Sequence, residues 1–298
     1  MKTASIIFLC LALVIAGCGF ILCKTAENRA AADGVELFTI ATDENGNRVS
    51  VIDYDTSKME KINIALKKGT VNIREGDECR VEIYNLMEGA YIKGISTNVL
   101  QINDTLNPIE IVKEGGLGIS FSGIRNLLHE LKPFTYDKWI NVYVPKGTPL
   151  NAIEVRVLDG TINVEGLEDI GADLLFTAEN GAVNVKNCSA NSRLQITGKK
   201  ADIALSGGFA SDLRVSTEHG SVALASGFSF VKADLRVTGE GNVDVALTQS
   251  ISRFALGLSA SEDITLNGTS LGTKTYTAPG TGMTLTATTA RGKLSVTD

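Results

Sequence analysis

Residues Glu154–Leu167 read EVRVLDGTINVEGL, and residues Asp234–Val245 read DLRVTGEGNVDV. Each stretch holds two apolar residues separated by one polar residue, then a polar turn with glycine, then a second apolar pair. Alternation of period two marks a half-buried β-strand, so each stretch is read as strand, turn, strand. The same unit opens at Glu154, Asp173, Arg193, Asp212, Asp234 and Arg253, with successive starts 19 to 22 residues apart. The second-strand pairs are Ile162/Val164, Val183/Val185, Ile203/Leu205, Val222/Leu224, Val243/Val245 and Ile264/Leu266. Gly160, Gly181, Gly220 and Gly241 lie in the turns between.

One such unit cannot bury its apolar face alone. Stacking units about 4.8 Å apart lets each strand bond to its equivalents above and below, with the apolar residues in inner columns. The expected columns are Val155, Leu174, Leu194, Leu213, Leu235 and Phe254 on the first strand, and Ile162, Val183, Ile203, Val222, Val243 and Ile264 on the second. The fold class is therefore all-β, a parallel β-helix-like solenoid of coils about 20 residues long. Ile64/Leu66, Lys68-Gly69 and Val71/Ile73 repeat the unit nearer the start of the chain, and Val81/Ile83 is read as opening the next. The pattern breaks between Ile111 and Asp137, where Ile124, Leu127, Leu128 and Leu131 have helical spacing. A partly helical insertion at about 113–137 is expected there. The alternation resumes at Ile140, and Pro145, which has no N–H for the ladder, should end that strand or place it at an edge.

The chain has 298 residues, 44% hydrophobic, with a net charge of −6. That balance, with no basic stripe, argues against a nucleic-acid partner. Ala4–Cys23 is an uncharged apolar run between Lys2 and Lys24, long enough as a helix to cross a bilayer. An uncleaved single-pass anchor uses the whole run and is favoured. Ile15-Ala16-Gly17-Cys18 also looks like a lipobox, which would make Cys18 a lipidation site, although Phe20–Leu22 continue the apolar run beyond it. Simple secretion is the third reading. All three put the remaining chain at a membrane or beyond it, and an extracytoplasmic solenoid is expected. The flanking charges nearly balance and leave topology open. The resulting organisation is an anchor or signal at 1–24, a linker at 25–36 and the solenoid at 37–298. Cys79 and Cys188 match no zinc or redox spacing and are expected as packed thiols, with a disulfide only if their strands are neighbours.

The strands INVYVPKGTPL (140–150) and VRVLDGTINVEGL (155–167), and units such as ENGAVNV (179–185) and EHGSVAL (218–224), resemble the DUF4097 family of "putative adhesin" β-strand repeat proteins. The resemblance runs over about residues 60–296. It implies a right-handed solenoid following a membrane segment, an envelope or surface role, and neither catalytic residues nor a cofactor to carry over. Lys199-Lys200 in place of a glycine turn, and the 111–137 break, depart from that pattern.

Two outward columns are candidate contact faces. Arg156, Arg214 and Arg236 are expected at one outward position of successive strands, with Glu154, Asp212 and Asp234 two residues earlier, so ordinary ion pairs compete with an anionic ligand. Asn163, Asn184, Ala204, Ala223 and Asp244 form the outward column of the second strand, suited to a carbohydrate or another sheet or simply inert. His129 and His219 are read as surface histidines, and Asp43–Asn47 has the wrong glycine position for an EF-hand loop. No Walker loop, GxSxG elbow or HExxH helix is present. The sequence favours a non-enzymatic, membrane-anchored envelope protein that presents the solenoid to an unidentified protein or glycan. The alternative is an envelope-stress regulator acting on a membrane partner, and a polysaccharide-cleaving enzyme comes third. Lys293–Val296 looks like an uncapped end, expected to be covered by residues 270–282 or joined to another copy in a homo-oligomer.

Overall fold

Strands this short, with one apolar edge each, are stable only when many share a core, and the structure shows how they do so. In a computed structural model, the described residues are 41–42, 44, 48–54, 59–86, 92–96, 98–104, 137–168 and 171–298. The anchor run, Cys18, the linker, Asp43 and 45–47, His129 and the expected insertion helix lie outside them, apart from the insertion's last residue, Asp137. Among the described residues no helix is long and apolar enough to cross a membrane. The chain divides into residues 1–46, where the described secondary structure is the short strand β1 (Ala41–Thr42), and residues 47–298.

In the second unit the strands are β2 (Arg48–Asp53), β3 (Lys61–Glu75), β4 (Arg80–Tyr84), β5 (Ile92–Ser96), β6 (Val99–Asn103), β7 (Trp139–Val144), β8 (Ala152–Glu165), β9 (Asp173–His219), β10 (Val222–Leu224), β11 (Phe228–Glu240), β12 (Val243–Ala246), β13 (Phe254–Ala260), β14 (Ile264–Leu266), β15 (Thr269–Ser270), β16 (Thr275–Ala278), β17 (Met283–Arg291) and β18 (Leu294–Thr297). β3 and β8 pair in parallel along nearly their whole length, and β8 pairs likewise with the start of β9. Each coil has a first arm, a sharp corner and a second arm. A short third side holds buried Cys188, Ala190, Ala210, Phe228 and Phe230. Pro145 follows the last residue of β7, as expected.

The corner sets the register. Gly69, Gly160 and Gly181 lie side by side across the coils, and a Cβ on Gly160 would overlap the Gly69 carbonyl oxygen. A Cβ on Gly241 would likewise overlap the Gly220 carbonyl, and Gly292 stands against Gly241 in the same way. The φ angles of +151° at Gly160 and +153° at Gly241 also lie where side chains with a Cβ are strained. The first buried residue of the second arm comes two positions after the glycine, at Val71, Ile162, Val183, Val222, Val243 and Leu294. In the coil with Lys199-Lys200, Ala201 takes the corner place, its carbonyl facing Gly220 and accepting from Thr217 Oγ1 at 3.2 Å.

Every residue of both expected inner columns is buried. The second-arm column also has the expected neighbours: Ile162 beside Val183, and Val222 between Ile203 and Val243. The first-arm column needs correction. Leu174 opposes Ile153 rather than Val155, Leu213 opposes Ala233, Leu235 opposes Val215, and Phe254 opposes Met283. The offset at Leu174, Leu213 and Leu235 is two residues, which leaves each side chain on the same face because the strand period is also two.

The order of coils departs from the order of the chain at both ends. β17–β18 intervenes between β11–β12 and β13–β14, so Leu294 lies between Val243 and Ile264. The strand at Leu294–Thr297 is therefore interior, and the coil of β13 and β14 is the last. It is covered by antiparallel β16 and β15, which lie within or beside the 270–282 segment expected to cap the stack. The Asp298 carboxylate fastens this end, accepting from the Ile251 N–H (2.8 Å) and Asn267 Nδ2 (2.7 Å). At the opposite end β6 and β7 pair with the two arms of β3 on the side away from β8. Antiparallel β5 covers β6, and antiparallel β4 and β2 cover β7. Val81 and Ile83 thus belong to a covering strand, not to a new coil.

Gly160→Ala should lower stability by about 2–5 kcal/mol, combining backbone strain with overlap. Val231→Ala, at a valine 48% exposed, should change it by less than about 0.5 kcal/mol. Urea unfolding of both variants checks this, and similar midpoints would show that the corner tolerates a side chain.

Candidate interaction face

Alternation along β2, β4, β7, β3, β8 and β9 sends every second side chain outward, and the shared register aligns those side chains into three rows across the strands. The first row is Val49, Tyr84, Trp139, Thr70, Thr161 and Ala182. The second is Val51, Glu82, Asn141, Asn72, Asn163 and Asn184. The third is Asp53, Arg80, Tyr143, Arg74, Glu165 and Lys186.

The middle row is a hydrogen-bonded ladder. Asn184 Nδ2 donates to Asn163 Oδ1, Asn163 Nδ2 to Asn72 Oδ1, and Asn72 Nδ2 to Asn141 Oδ1, each at 2.9 Å. Asn141 Nδ2 donates to Glu82 Oε2 at 3.2 Å. All four amides therefore point the same way, toward a carboxylate. That oxygen also accepts from the Tyr84 hydroxyl (3.2 Å) and the Tyr143 hydroxyl (3.3 Å). Arg80 Nε lies 3.2 Å from Glu82 Oε1. The Tyr84 and Trp139 rings stack at 4.5 Å with 14° between their planes. Desolvation, then the charge and hydrogen bond of Glu82, raise the Tyr143 pKa above the usual tyrosine value. The hydrogen bond and charge of Lys186 at 2.9 Å hold the Glu165 carboxyl below the usual range.

Asn163 and Asn184 are thus brought together as expected, and Ala204, Ala223 and Asp244 stand side by side on the later coils. The sequence reading missed Asn72, Asn141, Glu82, Tyr84, Trp139 and Tyr143 as members of the same face. A signal existed: asparagine stands between two β-branched residues at 71–73, 140–142, 162–164 and 183–185. The same tripeptide at 62–64 falls on the first arm, where Asn63 faces Gln101 and Glu154 instead.

The arginine column is not formed. Arg214 opposes Asp234, Arg236 opposes Ser216, and Arg156 opposes Thr177. The cause is the same two-residue difference between the expected and the observed alignment of the first arm. Arg214 and Arg236 each pair with the aspartate two residues earlier, at 2.7 Å. Hydrogen bonds to those carboxylates raise the pKa of both guanidinium groups. Arg156 pairs with Glu179 at 2.5 Å, while Glu154 pairs with Lys61. Such exposed pairs contribute little stability. His219 is exposed, and its Nδ1 accepts from the Glu240 N–H at 3.4 Å. Among the described residues no three His, Cys, Asp or Glu side chains are grouped to hold a metal.

Cys79 and Cys188 form no disulfide. Cys188 lies buried on the short third side, and desolvation pushes its thiol up from 9.0 to about 11. A raised pKa in the folded state means that this thiol's contribution to stability is complete below about pH 9 and is lost as pH rises toward 11. Iodoacetamide at pH 8 should label Cys188 only after unfolding, as read by peptide mass spectrometry. The fall in stability between pH 9 and 11 should be shallower in Cys188→Ala. Native labelling at the unfolded rate would contradict the buried placement.

Three solved structures are similar to this chain. One is a "putative cell adhesion protein" from Clostridium sporogenes, 13% identical, with 84% of this chain and 99% of that one covered and a TM-score of 0.34. The second is a "putative adhesin" from Bacteroides fragilis, 13% identical, covering 84% and 97%, with a TM-score of 0.45. The third is a "putative lipid binding protein" from Parabacteroides distasonis, 11% identical, covering 86% and 98%, with a TM-score of 0.35. No curated protein matches in sequence. The repeat seen in the sequence and the stacked coils of the structure are accounted for by a family model that spans residues 59–297, and the chain belongs to that family, Toastrack DUF4097.

Proposed function

We propose that this chain is a non-enzymatic cell-envelope protein, anchored by the apolar run at 4–23, whose solenoid presents its outer faces for contact with a protein or a glycan. The observation that carries this reading is the three-row face from β2 to β9. It is regular across consecutive strands, and built of side chains that suit surface contact: amides, tyrosine hydroxyls and paired charges. Strands paired side by side, parallel from β7 to β9 and antiparallel at β4 and β2, hold these groups at fixed spacing without a loop, which suits an extended partner. The names of the similar proteins from Clostridium sporogenes and Bacteroides fragilis agree with an adhesive role but carry no weight of their own at such low similarity. A right-handed coil belongs to the same reading, since parallel strands of one sheet are joined with that hand.

Cells producing the full chain should be labelled on solenoid lysines by a membrane-impermeant amine reagent. Deleting the chain should reduce attachment to immobilised envelope material. Labelling only after lysis would place the solenoid inside and end this reading. Surface labelling with unchanged attachment would remove its adhesive part.

A further inference from the structure

We infer that the asparagine ladder from Asn141 to Asn184 is a binding track for a linear, uncharged β-1,4-linked polysaccharide lying along the solenoid axis, across the strands. This rests on the contact-surface reading above and names its ligand class. Each asparagine amide has two donor hydrogens and two acceptor lone pairs. The ladder uses one donor of each amide, and one lone pair of Asn141, Asn72 and Asn163. Asn72, Asn141 and Asn163 are half-buried and Asn184 is exposed, so the second N–H and lone pair remain on the solvent side of the sheet.

The rungs follow the strand spacing of about 4.8 Å, close to the advance per sugar of an extended β-1,4-linked chain. Successive sugars in such a chain are flipped. A rung with both a donor and an acceptor serves either orientation. Because the amides are tied to one another, little rotamer freedom remains to be lost on binding.

Coil stacking does not need these amides. At the same register the later coils carry Ala204, Ala223, Asp244, Ser295 and Thr265, and they stack in parallel without a ladder. The ladder is confined to one end of the face, the same end that holds the Tyr84–Trp139 stack and Tyr143. This end also carries the pairs Arg80–Glu82 and Glu165–Lys186, but its row of uncharged amides beside aromatic side chains has no counterpart on the first-arm surface around Arg214 and Arg236. It favours a hydroxyl-rich ligand over an anionic one.

The test titrates the full chain in detergent solution with cellohexaose and with chitohexaose, by calorimetry and by emission of Trp139, the one tryptophan in the sequence. At least one of the two should bind saturably and change that emission. Asn72→Ala/Asn163→Ala, which installs the residue that two later coils carry, should weaken binding about tenfold, and Arg236→Ala should leave it unchanged. No binding of either oligosaccharide to the native chain overturns the inference, as does a double variant that loses thermal stability but binds as before. If attachment to envelope material persists while both sugars fail, the contact-surface reading stands with a different ligand. If attachment and sugar binding both fail, neither reading survives.

Discussion

The close approach of backbone at the coil corner is the constraint on which the rest depends. Gly69, Gly160, Gly181, Gly220, Gly241 and Gly292 stand where a Cβ would run into the carbonyl of the coil beside it. That contact leaves little room for adjacent coils to slide at the corner, and the second arm begins two residues later. The buried column from Val71 to Leu294 follows, and so does the alignment of Asn72, Asn163 and Asn184 one residue further along. The asparagine ladder is therefore a consequence of the glycine ladder. Amides can bond rung to rung only where the register is held over consecutive coils.

The first arm is governed differently. It keeps the corner's register across β3, β8 and β9, but between β9 and β11 Leu213 stands beside Ala233 and not beside Leu235, two residues further on. Burial is indifferent to such a step, since Leu213 faces inward whether it meets Ala233 or Leu235. Surface chemistry is not indifferent. The same step separates Arg214 from Arg236 and leaves each with its own aspartate. One arm thus carries a continuous polar row and the other a set of local ion pairs.

Both ends of the stack meet the problem of unpaired strand edges in the same way. A coil from elsewhere in the chain is placed next to the terminal repeat, β6–β7 at one end and β17–β18 at the other, and antiparallel strands then cover the outermost coil. The outer covering strand β16 is four residues long and ends against Pro279, which limits further pairing. At the β4 end the covering strand also supplies Glu82. Its carboxylate terminates the amide ladder and gives it direction, so the capping device and the candidate interaction face share one residue.

The alternation of apolar residues and the recurrence of glycine were enough to read the solenoid, its buried residues and the second-arm column, because period two and a positive φ are local properties of the chain. Asn163 and Asn184 were legible for the same reason, being one unit apart with a glycine corner before each. The sequence by itself determined which side chains face inward and where the corners fall. Only the tertiary structure decided which coil lies beside which. Asn141 and Asn72 are 69 residues apart, and Glu82 and Asn141 are 59 apart, yet they are consecutive rungs. Pairing across such distances depends on closing long loops and covering exposed edges, and no local pattern of residues records it.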